Sequence, residues 1–267
     1  MSKQWLFALA IAAAFGCDDC LKQVPAENVE LLPYPECEPG SGIDGPSALG
    51  AGELRAGPSS SDQNVVERFH YEIRDCHRVM TVRQEWPRGT SDIEVIYDAE
   101  GTLLRAWKRT TSPLDDNPEE QADIRRYELR TEQPTMTIRF PDGRVEHRIL
   151  RGSRPTAAIG PGRGMLTAWI QRADLDVGER SREEVLDFRS LGLERILPVA
   201  LVRNPDREEP DLGRVRVYTV YGRESVFTDE NNVVIGDLAG IRPFHVVAGE
   251  PPRPIPVYGE PDPVHTP

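Results

Sequence analysis

Basic charge is scarce in this chain. Thirty-two lysines and arginines stand against 44 aspartates and glutamates, a formal net charge of −12 over 267 residues. The positive field that a phosphate backbone attracts is therefore missing, which excludes nucleic acid as a partner. Lysine itself is nearly absent, at Lys3, Lys22 and Lys108, so arginine supplies almost all the positive charge. Long apolar runs are missing too. The longest, Trp5 to Phe15, falls short of the ~20 residues that a helix needs to cross a bilayer. The five histidines are scattered at 70, 77, 147, 245 and 265, and cysteine is limited to Cys17, Cys20, Cys37 and Cys76. Cys17-Asp18-Asp19-Cys20 has no second closely spaced pair, so a zinc ribbon is not expected. There is no Gly-x-Ser-x-Gly turn, since Gly45-Pro46-Ser47-Ala48-Leu49 lacks the last glycine. Neither a metal nor a cofactor is expected.

What is present begins at the amino terminus. A basic residue at Lys3, an apolar middle and a small Gly16 before Cys17 describe an export signal over residues 1–16. Ala14-Phe15-Gly16-Cys17 resembles the lipobox of bacterial lipoproteins. The resemblance implies that the Cys17 thiol carries a diacylglycerol, which makes a membrane the first partner, at the outer membrane or periplasmic face of the cell envelope. Gly16 and Cys17 match; Ala14 stands where leucine is usual, and Phe15 is bulky for its place. Ala14-x-Gly16 also suits ordinary signal peptidase, which would leave a secreted or periplasmic protein with Cys17 unmodified. Cysteine parity favours this second route, because lipidation leaves three thiols in an oxidising compartment. The Gly-Cys junction followed by Asp18-Asp19 favours the first.

Residues 17–63 are rich in proline and glycine and poor in periodicity, which predicts a tether behind the anchor cysteine, spanning about 35 Å as a coil. Residues 246–267 form a proline-rich tail. Between them, residues 64–245 alternate apolar and polar positions repeatedly, as in Phe69, Tyr71 and Ile73 against Arg68, His70, Glu72 and Arg74. Pro141-Asp142-Gly143-Arg144 marks a hairpin. Asn204 to Gly213 reads as a loop. Met165, Trp169, Ile170 and Ala173 share one helical stripe, predicting a single short helix over 165–174. The expected fold is mainly β: an antiparallel meander forming an incomplete barrel or strongly curved sheet with that one helix. This order of elements is similar to the lipoprotein-carrier fold, an incomplete barrel plugged by helices that binds acyl chains in some members. A closed barrel or a sandwich fits the pattern as well.

Candidate sites follow from these elements. Phe69, Tyr71, Met80, Val82 and Trp86 on the sheet, with Met165, Trp169 and Ile170 on the helix, are the lining of an apolar-ligand groove or simply core. Gly160-Pro161-Gly162-Arg163-Gly164 before the helix offers amides and the Arg163 charge to an anion. Cys76 is expected in a disulfide, with Cys37 the candidate partner, which would pin the tether to the first hairpin. The acidic runs Asp115 to Glu120 and Asp229 to Asn232 lack the spaced ligands of a calcium loop. The expected function is a non-enzymatic envelope lipoprotein that binds an apolar ligand, such as a lipid, or another envelope protein on the concave face of its sheet. A scaffold or accessory subunit of an envelope complex is the alternative, and a hydrolase with an unrecognised site the third.

Overall fold

The computed structural model describes residues 35–37, 42–43, 45–56, 66–86, 89–111, 122–190 and 192–243. The expected export signal with Cys17 and Cys20, the acidic run at 115–120, and the expected tail over 246–267 lie outside the described residues.

Two sheets carry the fold. The first contains β1 (Ala48–Ala56), β2 (Val66–Arg74), β3 (His77–Trp86), β4 (Gly89–Tyr97), β5 (Leu103–Thr111), β6 (Asp123–Glu128), β7 (Thr135–Arg139) and β8 (Val145–Ile149). They lie in sequence order, each antiparallel to the next, and β15 (Ile241–Pro243) pairs with the outer edge of β1. Short turns enforce that order. Asp75 and Cys76 alone link β2 to β3, with Asp75 at φ 53°, the positive φ that two-residue hairpin loops demand. The second sheet runs β14 (Val234–Asp237), β13 (Glu224–Thr228), β12 (Gly213–Val220), β11 (Arg195–Glu209), β10 (Arg180–Asp187) and β9 (Ala157–Ile159), and it curls into a half-barrel. The architecture is thus mainly β, an incomplete barrel with one short helix, α1 (Leu166–Ala173).

Three local expectations need correction. First, β1 falls inside the stretch read as tether. Its glycines look like linker residues but serve contact: a Cβ at Gly50 would stand 2.8 Å from Val233, and one at Gly52 would stand 2.7 Å from the Phe69 ring. Second, β11 continues through the expected loop to Glu209, because a bulge between Asn204 and Arg207 accommodates Pro205 where the ladder is interrupted. Third, the strands are not all antiparallel. β9 and β10 pair in parallel, and α1 is the crossover between them, as parallel neighbours require.

The polar face of the first sheet is drier than alternation suggests. Asp92 and Glu94 on β4 and Arg83 on β3 are buried. Asp92 lies 3.6 Å from Arg83 and 2.8 Å from Arg109 across the neighbouring strands, and Arg68 bridges Glu53 and Glu85. Arginine suits this place: its apolar stem covers the sheet while its planar fork binds carboxylates. The opposite face joins the second sheet and α1 in one hydrophobic core.

Candidate functional site

The sequence placed its apolar groove between the first sheet and the helix. The structure fills that space. Leu166, Thr167, Ala168, Trp169 and Ile170 are all buried, five consecutive positions where an amphipathic surface helix would bury one stripe. Sheet residues meet α1 on both flanks. Thr167 Oγ1 accepts the amide of Val234 at 3.1 Å, and Gln171 Nε2 donates to the carbonyls of Leu49 and Asn231. Of the proposed lining, Phe69, Tyr71, Met80, Val82, Met165, Trp169 and Ile170 belong to the one core, each no more than 2% exposed. Trp86 sits apart, half-buried at the end of β3. Among the described residues these positions act as core, which leaves the apolar-ligand reading without its groove.

The glycine-rich loop before α1 does hold an anion, and the anion is internal. The buried Glu67 carboxylate on β2 accepts the amides of Arg163 at 2.8 Å and Gly164 at 2.5 Å. The glycines let the loop approach β2 so closely: a Cβ at Gly162 would stand 3.0 Å from the Glu67 carboxyl, and one at Gly164 would strike the Phe69 ring. Arg163 itself binds Asp237 at 2.9 Å and Glu224 at 3.1 Å. Its charge and the loop amides are spent inside the protein, so the expected external anion site is corrected to a structural one. Burial pushes Glu67 up to about 7, against the pull of the two amides and of Arg163.

Cys37 and Cys76 form a disulfide across 39 residues, with Cα atoms 5.8 Å apart. His77 lies against it, its Nδ1 3.4 Å from the Cys76 sulfur, and burial lowers the imidazole below its usual range. His70 is partly exposed beside Glu72, at 3.3 Å. The turn at Asp229 is closed by its own amides, since its carboxylate accepts those of Asn231 and Val233. The Asn232 side chain is engaged by Tyr218 and Arg216.

A feature that sequence reading missed lies at the C-terminal end of α1. Arg154 and Thr156, the end of the helix, and the first half of β10 surround an open cleft of about 690 Å³. Among its lining residues is Glu183, whose carboxylate accepts Trp169 Nε1 and Ser181 Oγ at 3.0 Å, Thr156 Oγ1 at 2.5 Å, and the Arg172 guanidinium. Burial works against that charge, but the donors outweigh it and hold Glu183 below the usual carboxylate range. The only hint in the sequence was the alternation of arginine at 180 and 182 with residues too polar for a core strand.

No family model matches the chain, and neither does any curated protein. Among solved structures it is similar to a DUF1089 family protein from Pseudomonas aeruginosa, at 17% identity and a TM-score of 0.46, over 70% of this chain and 96% of that one.

Proposed function

We propose that this chain is an exported, lipid-anchored protein of the cell envelope that works without catalysis, as a scaffold or accessory subunit of an envelope complex. The Cys37–Cys76 disulfide carries the reading. Such bonds persist outside the reducing cytoplasm, and this one fastens the segment that follows the lipobox-like Cys17 to the β2–β3 turn. Cys37 lies 20 positions after Cys17, a covalent reach of at most about 70 Å. The anchor therefore holds the domain close to its membrane by the β2–β3 hairpin. The filled core favours a partner-binding outer surface over an apolar cargo.

Metabolic labelling with a fatty acid tests the anchor: the wild type takes the label and Cys17→Ser does not. An unlabelled wild type removes the anchor. Crosslinking in intact envelopes tests the second half, and recovery of the chain with no other envelope protein removes the scaffold.

A further inference from the structure

Arginine in this domain is mostly committed to carboxylates. Arg68, Arg109, Arg163 and Arg189 each hold one or two. The cleft beside α1 is different. Arg154, Arg180 and Arg182 all line it, all three are exposed, and none has a hydrogen-bond or ion-pair partner among the described residues. Arg180 and Arg182 are two positions apart on β10, so their side chains leave the same face of the strand, roughly 7 Å apart, opposite the face on which Ser181 and Glu183 meet α1. Arg154 reaches the cleft from the segment before β9. With Arg172, the cleft has four arginines against Glu183 and Glu184, an excess of two positive charges in a chain of net charge −12. The Glu183 charge is already satisfied by its four donors, so it does not oppose an incoming anion strongly.

We infer that this cleft binds a phosphate-bearing ligand, with Arg154, Arg180 and Arg182 on the phosphate oxygens. Three planar forks suit a group with three or more acceptor oxygens and up to two charges, whereas a carboxylate offers two oxygens and one charge. The site stands on residues separate from Cys17 and from the disulfide, so it holds or fails independently of the anchor.

The test uses the purified full chain carrying Cys17→Ser, so that no acyl group enters the vesicles on its own. Titration with glycerol 3-phosphate, followed by calorimetry, measures a soluble phosphoester. Co-sedimentation with phosphatidylglycerol vesicles, against phosphatidylcholine vesicles, measures a lipid headgroup. Each of Arg154→Gln, Arg180→Gln and Arg182→Gln is expected to weaken binding about threefold to fivefold, and the triple variant on the order of fiftyfold. All three residues are exposed, so folding should survive, and circular dichroism checks it. A control removes the same charge at exposed arginines outside the cleft, Arg139, Arg195 and Arg223. Loss in the cleft variant with binding kept in the control supports the site, and whichever probe binds identifies the source of the phosphate. Equal loss in both variants, unchanged binding in the cleft variant, or no binding of either probe by the parent chain overturns it.

Discussion

The buried Glu67 carboxylate sets two large effects against each other, and replacing it with glutamine decides between them. Two amides at 2.8 and 2.5 Å favour the ionised form, as does Arg163. Complete burial disfavours it and wins, so the group titrates near 7 in the fold against 4.5 when solvated. Between those values the folded chain binds more protons than the unfolded chain, and stability therefore falls as pH rises. The contribution is fully present below pH 4.5 and is lost by about pH 7. At 1.36 kcal/mol per pKa unit the loss amounts to about 3 kcal/mol. Glu67→Gln cannot titrate, so it lacks this slope. Urea unfolding of both proteins at pH 5, 6, 7 and 8 isolates the group as the difference between two stabilities. That difference, wild type minus variant, should shrink by about 2.5 kcal/mol across the series, since part of the contribution is already lost at pH 5. Parallel curves would refute the raised titration. A difference that grows with pH would mean that the amides outweigh burial and that the carboxylate is held low.

Two further outcomes follow from contacts described above. Removing the disulfide as Cys37→Ser/Cys76→Ser should cost roughly 4 kcal/mol on the chain-entropy relation for a 39-residue separation; a urea midpoint unchanged from the oxidised wild type would show that the bond constrains nothing. Gly164→Ala would drive a methyl into the Phe69 ring and should destabilise by about 1–3 kcal/mol through overpacking, and a thermal midpoint equal to that of the wild type would show that the loop can lift away from β2 at no cost.

The alternation of Phe69, Tyr71 and Ile73 was enough to place β2, and Pro141 to Arg144 to place the turn between β7 and β8, because strand period and turn chemistry are local. The helix was legible within one residue at each end: Asp174, at φ 40°, stops it. Its environment was not legible. The stripe read from Met165, Trp169 and Ile170 treats α1 as a helix with one wet side, whereas Leu166 and Ala168 are buried as well, because a second sheet covers that side. Gly50 and Gly52 misled for the same reason. A glycine in a linker and a glycine pressed against Phe69 look alike in sequence, and only the partner distinguishes them.

By itself, the amino-acid order determined the acidic balance, most strand-forming stretches and the position of one helix, which are set by composition and by neighbours within a few residues. The tertiary structure decided where charge is spent. Glu67 lies 96 residues from the Arg163 amide that it binds, and Arg154 lines a cleft with Arg180 and Arg182. Whether an arginine is neutralised or left open depends on distances of a few ångströms between such remote segments. Coulomb energy and desolvation act over those distances in space and are indifferent to separation along the chain.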